Sequence, residues 1–224
     1  MGAKLTEQLF EKGGRGPRAR TLEPRESYDE RLNRILEAAT VVIARDGYRK
    51  ASMRAIAKAT GVSLAGLYHY FDCKDRMLFL IQFRTFSSLL NNLREKLHGV
   101  EDPVEQLRVM VRAHVFYFAA NMNALKVCSH ELDLLKGPAY EETRRIRRAY
   151  YELTRSIVDR ILQMGTPDGA LDRRIATMSL FGTLNWLYRW YDPKKDRSPS
   201  VLANQISTQF LQGVLGVSGV GADG

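Results

Sequence analysis

Between Ser52 and Asp72 the chain reads Ser-Met-Arg-Ala-Ile-Ala-Lys-Ala-Thr-Gly-Val-Ser-Leu-Ala-Gly-Leu-Tyr-His-Tyr-Phe-Asp, and few folds accommodate such a stretch. Two short helical runs flank Gly61-Val62-Ser63. Ala57 is small enough for a neighbouring helix to approach closely, and Gly61 can turn the chain with positive φ without a Cβ clash. Ile56, Val62 and Leu67 are spaced to close a small core between the runs. Ser52 and Ser63 each stand where a hydroxyl can satisfy the free amides of a starting helix. A generic pair of packed helices shares half of these features. Their combination predicts a helix-turn-helix whose second helix is short, exposed and able to enter a major groove.

The remainder predicts an all-α chain. Leu32, Ile35, Leu36, Ala39, Val42 and Ile43 recur at helical steps from about Tyr28 until Gly47. Further helices are expected over Met53–Thr60, Leu64–Tyr70, Lys74–Leu97, Pro103–Asn121, Ala124–Leu135, Pro138–Met164, Asp172–Tyr191 and Ser198–Leu215. The expected organisation is an N-terminal arm (1–26), a helix-turn-helix domain (27–73), a larger helical domain for ligand binding and dimerisation (74–215) and a frayed tail (216–224). The arm combines helix-interrupting Gly13, Gly14, Gly16 and Pro17 with Lys12, Arg15, Arg18 and Arg20. It reads either as a flexible leader or as a segment that touches phosphates or the minor groove.

The formal net charge of +9 and pI of about 9.7 favour polyanionic partners. The excess divides almost evenly between the first 80 residues and the rest, so charge alone does not locate a nucleic-acid face. Cys73 and Cys128 form no metal-ligand spacing and read as free thiols, and no metal is expected. No apolar signal core opens the chain, and no run of about 18 uncharged apolar residues could span a bilayer. These features suggest a cytoplasmic protein with no membrane partner.

Residues 52–78, from Ser-Met-Arg-Ala-Ile-Ala through Gly-Val-Ser and Gly-Leu-Tyr-His-Tyr-Phe-Asp-Cys-Lys-Asp-Arg-Met-Leu, resemble the DNA-binding signature of TetR-family regulators. The resemblance implies an all-helical homodimer with an N-terminal reading head. By their chemistry, helix-starting amides at Ser52 and Ser63 can receive phosphate oxygens. Arg54 can clamp a phosphate or fork onto a guanine edge. Leu64, Ala65 and Gly66 form the leading turn of the reading helix, where small bulk permits close approach. Tyr68 is similar to a family tyrosine that hydrogen-bonds the DNA backbone, and Lys74 to a family lysine on phosphate. His69 reads equally as a base or phosphate contact and as an ordinary exposed histidine. Tyr70 stands where many members carry His, which leaves any base preference of His69 open.

In the C-terminal half, helix 172–191 carries large apolar residues on every side, as a helix buried all round must. Helix 198–215 supplies a second apolar stripe. The pair resembles TetR-family four-helix dimer interfaces, with Phe181, Leu184, Tyr188, Ile206, Phe210 and Val214 as candidate contacts. A twofold dimer would set two reading helices about 34–36 Å apart. Met110, His114, Tyr117, Phe118 and Tyr151 read either as plain core or as the wall of a ligand pocket between helices. Arg144 and Arg148 share a face, either paired with Glu141, Glu142 and Glu152 or turned toward the phosphates of an anionic ligand. The stretch Asn185-Trp186-Leu187-Tyr188-Arg189-Trp190-Tyr191 is similar to that of TetR-family repressors of fatty-acid, aromatic-acid and steroid degradation. That likeness implies an acyl-CoA effector, with Trp186 and Arg189 among its contacts.

No paired-carboxylate, nucleophile–base or phosphate-loop arrangement is recognisable, so no enzyme activity or cofactor is expected. The sequence reads as a repressor released from a pseudo-palindromic double-stranded operator by a small-molecule effector. A ligand-dependent activator or co-repressor on the same fold, or a helical ligand-binding module that ignores DNA, remains open at this point.

Overall fold

The computed structural model describes residues 27–131, 134–165 and 171–216. The expected arm and most of the expected tail lie outside them. The elements in chain order are α1 Tyr28–Asp46, α2 Met53–Thr60, α3 Leu64–Tyr70, α4 Lys74–Leu97, α5 Pro103–Ala120, α6 Met122–His130, α7 Gly137–Gly165, α8 Arg173–Asn185, α9 Leu187–Trp190 and α10 Pro199–Leu215. The described residues contain no strand.

Local chemistry explains most boundaries. Ser27 and Glu30 close a reciprocal capping box on α1. The Ser52 and Ser63 hydroxyls accept from the amides of Ala55 and Gly66. Asp102 accepts from Val104 and Glu105 beside Pro103, and Ser198 caps the helix that Pro199 opens. Gly61 ends α2 in the left-handed region at φ 68°, ψ 14°.

Two cores result. In the head, α1, α2 and α3 close over Ile35, Ile43, Ile56, Leu67 and Phe71. That core does not stop at residue 73. It takes in Met77, Leu78 and Ile81 of α4, together with Val127 and Leu135 from farther on. In the body, α5, α7, α8 and α10 enclose Leu107, Met110, Phe118, Tyr150, Ile157, Leu184 and Leu202, joined by Leu89 and Leu93 from the far end of α4. At 24 residues and about 1.5 Å per residue, α4 is a strut of about 36 Å serving both cores.

Two expected helices are corrected. The helix expected over 172–191 is interrupted at Trp186, where a tighter turn bonds Arg189 N–H to the Trp186 carbonyl at 3.0 Å. One turn earlier, the Thr183 hydroxyl bonds back to Ser179, a contact that tends to bend helices. The interruption lets Leu184, Leu187 and Tyr191 all face the core while Trp186 and Trp190 face out. The expected helix 124–135 begins earlier, at Met122, and ends at His130. Its end is set by tertiary bonds: Glu131 accepts from the Tyr48 amide through its carboxylate, at 3.1 Å, and from Gln82 Nε2 through its carbonyl, at 3.0 Å.

Candidate nucleic-acid interface and effector site

At seven residues, α3 is too short to be helical alone, and three anchors hold it. Leu67 and Phe71 are sealed in the head core, and the Ser63 cap ties its first turn. Gly66 serves packing as well as access: a Cβ there would lie 2.9 Å from Val62 Cγ1 and 3.1 Å from Ser63 Oγ. The opposite side of α3 is open, with Ala65, Tyr68 and His69 exposed and Leu64 and Gly66 half-buried. Ser52 and Arg54 are exposed at the start of α2. The candidate DNA residues on α2 and α3 therefore lie at helix starts and on the solvent side of the reading helix.

Lys74 has partners within the protein. Its ammonium donates to the carbonyls of Tyr48 at 2.8 Å and Ala51 at 3.0 Å, and lies 4.2 Å from the Tyr48 ring centroid. Two of its three N–H groups are thus used in closing the α1–α2 loop, leaving at most one for a phosphate. The Tyr48 phenol donates to Asp75, and burial beside that carboxylate raises its pKa, so the donor persists. Tyr48, Asp75, Gln82 and Glu131 form a latch between the head, α4 and the end of α6. Sequence reasoning missed it, since no local pattern links Tyr48 to Glu131. Arg34, which donates to the Thr60 carbonyl at 3.0 Å and so ties α1 to the end of α2, was missed for the same reason.

The candidate effector residues do not converge on one pocket. Met110, His114 and Phe118 are sealed in the body core, with Tyr151 half-buried beside Phe181. Arg144 and Arg148 instead face solvent, within 3.5 Å of Glu141 and 3.7 Å of Glu152 respectively. The paired-surface reading of that basic face is the one observed. Trp186 and Arg189 are exposed, with the guanidinium 5.6 Å from the indole centroid. Tyr117 alone of the candidates lines a cleft of about 560 Å³ between α1, α4 and the α5–α6 corner, with Thr40, Val41, Arg84, Ser88 and Asn121 among its walls. Nothing in the sequence signals this cleft, because its sides come from remote segments.

Of the expected dimer contacts, four face the protomer's own core. Phe181, Leu184, Ile206 and Val214 are buried in their own protomer, and Tyr188 and Phe210 are half-buried against the same core. A side chain already enclosed has little surface to give a partner. Between Arg173 and Leu215 the exposed large apolar residues are Ile175, Met178, Trp186, Trp190 and Val201.

His114 is the one buried histidine of the body core. Its Nδ1 lies 3.1 Å from the Tyr150 hydroxyl, and burial pushes its pKa down to about 3. The unfolded chain protonates this residue below about pH 6.5 while the folded chain resists. Its contribution to stability is therefore complete above that pH and declines as pH falls toward 3, by up to about 1.4 kcal/mol per unit. Urea unfolding at pH 7, 6 and 5 should show a shallower decline for His114→Phe than for the wild type; parallel declines would mean that the imidazole is not held neutral.

Residues 35–81 match the family described as bacterial regulatory proteins, tetR family, and residues 100–214 match the tetracyclin repressor-like C-terminal domain. The fatty acid metabolism regulator protein of Bacillus subtilis (strain 168) is 26% identical over 181 residues, covering 80% of this chain and 93% of that protein. A TetR-family transcriptional regulator from Bordetella parapertussis 12822 is 30% identical, with a TM-score of 0.76 over 86% of this chain and all of that one. The regulator FadR from Bacillus subtilis, solved in complex with stearoyl-CoA, shares the fold at 23% identity and a TM-score of 0.65, covering 81% of this chain and 98% of that one. With its head and body both matched and its reading helix exposed on a capped, glycine-turned frame, the chain belongs to the TetR family and is a DNA-binding transcriptional regulator rather than an enzyme.

Proposed function

We propose that this regulator is a cytoplasmic repressor that grips a pseudo-palindromic operator as a twofold dimer and leaves it when an acyl-CoA thioester binds. The observation that carries the reading is α3, anchored by Leu67 and Phe71 with Ala65, Tyr68 and His69 turned outward. The dimer is supported by α8 and α10. From Ile175 to Asn185 and from Val201 to Leu215 neither helix has a charged residue, although Ile175, Met178, Thr183, Asn204, Thr208 and Gln212 are all exposed. Exposed helix faces ordinarily carry charge, and its depletion is characteristic of the centre of an interface. The effector class is supported by kinship with a fatty-acid regulator and by the fold shared with a stearoyl-CoA-bound one.

Release follows if the effector prefers a conformer in which α4 and the latch at Tyr48 and Glu131 have shifted the heads. Only such differential affinity moves the equilibrium, and a hundredfold ratio corresponds to about 2.7 kcal/mol. The test is binding to duplex DNA across a salt series, followed by recovery of bound genomic fragments and addition of acyl-CoA thioesters. Affinity should fall steeply as salt rises, and a thioester should weaken binding to the recovered fragment. A flat salt response would mark a module that ignores DNA, and tightening by the thioester would mark a co-repressed or activating system.

A further inference from the structure

Every ring around His114 belongs to the body core. Phe118 lies 4.8 Å away between centroids, Tyr150 6.0 Å and Phe181 6.3 Å. Only 2% of the histidine is exposed, and while Nδ1 faces the Tyr150 hydroxyl, Nε2 has no hydrogen-bond partner. A buried polar atom left unpaired is costly and rare, and a phenylalanine would suit such surroundings better. Tyr150 is itself buried on α7, and burial raises its pKa, so its hydroxyl keeps its proton and can donate to Nδ1. A neutral imidazole that accepts at Nδ1 carries its hydrogen on Nε2. The core thus holds one oriented N–H donor, at a point where α5, α7 and α8 bring their aromatic rings together.

Contacting rings on α5 link this donor to a cleft. Phe118 stands one turn from His114 and meets Tyr117 edge-on at 5.2 Å, and Tyr117 lines the cleft between α1, α4 and the α5–α6 corner.

From this juxtaposition we infer that His114 Nε2–H is the specificity-determining donor to the effector's thioester carbonyl, with the acyl chain among the aromatic rings and the pantetheine arm leaving past Tyr117 into the cleft. The inference rests on the acyl-CoA reading above and adds the atom that recognises the thioester. Tyr150 is a positioning residue, since it selects the tautomer that donates. An effector bound in this way parts the aromatic cluster and touches head and body together.

The test compares butyryl-, decanoyl- and stearoyl-CoA with S-alkyl-CoA thioethers of the same chain lengths, in which a methylene replaces the carbonyl. Binding is measured by calorimetry on the full chain. Wild-type protein should prefer at least one thioester over its thioether by about tenfold or more, since a site built to hydrogen-bond rejects the analogue lacking the group. His114→Phe should bind both compounds at the thioether's level. His114→Gln, which keeps an N–H donor, should recover part of the preference, and Tyr150→Phe should lose part of it. Should His114→Phe fail to fold, the wild-type ratio and His114→Gln still decide. Equal binding of thioester and thioether by wild-type protein would remove the role of His114 and leave the acyl-CoA reading standing. Binding of neither class would overturn both, and an unchanged preference in His114→Phe would place the carbonyl donor elsewhere.

Discussion

A chain carrying both Ile175→Asp and Met178→Asp should remain helical, elute as a monomer, and lose between about a hundredfold and ten-thousandfold in affinity for its operator. Both side chains are exposed in the protomer, at 66% and 51% respectively, on a stretch of α8 that carries no charge from Ile175 to Asn185. Carboxylates placed there meet water in the monomer and cost it little. In a twofold dimer they meet their own copies and are stripped of water, which is strongly unfavourable. The affinity loss follows because two linked heads bind one duplex with an effective concentration that a single head lacks. Light scattering reads the first effect and fluorescence anisotropy on a two-half-site duplex reads the second. Leu184→Asp is the contrasting control: Leu184 is wholly buried, so its charge should unfold the protomer instead of separating a folded pair. A double variant that stays dimeric would put the interface on another face.

Leu67→Ala should destabilise the head by about 2–5 kcal/mol, the usual range for emptying a fully buried leucine site, and should abolish operator binding. The size of the functional loss comes from the shortness of α3, which has no helical stability of its own and depends on Leu67, Phe71 and the Ser63 cap. Tyr68→Phe separates recognition from folding. The ring is half exposed, so removing its hydroxyl should change stability by less than about 0.5 kcal/mol while weakening DNA binding if that oxygen meets the backbone. Denaturant midpoints beside anisotropy titrations resolve the two effects. A Leu67→Ala protein as stable as wild type would show that α3 is held by something other than its buried leucine.

The contrast between these residues shows which parts of the molecule the sequence could reveal. Caps and turns act over three or four residues, so Ser52, Gly61, Ser63 and Pro103 could be placed in their roles directly. The head was legible for the same reason, since Ile56, Val62 and Leu67 pack within a dozen residues of one another. Sidedness in the body was not. On α8, Leu184 and Met178 are both large and apolar, and periodicity puts them on different sides without saying which side meets the protomer's own core. The arginines of α7 posed the same problem in charge: Arg144 and Arg148 fit a phosphate site or a surface of ion pairs equally well until their neighbours were known.

The amino-acid order alone specified an all-helical chain with a reading helix after Ser63, because hydrogen bonds, caps and helical periodicity are settled between near neighbours. Only the three-dimensional packing decided that Glu131 reaches Tyr48, that Lys74 closes a loop, that Tyr117 opens on a cleft, and that Ile175 and Met178 look outward. Each of these depends on which distant helix lies alongside, and burial of apolar surface is non-directional. The pattern of a single helix therefore cannot name the neighbour it will meet.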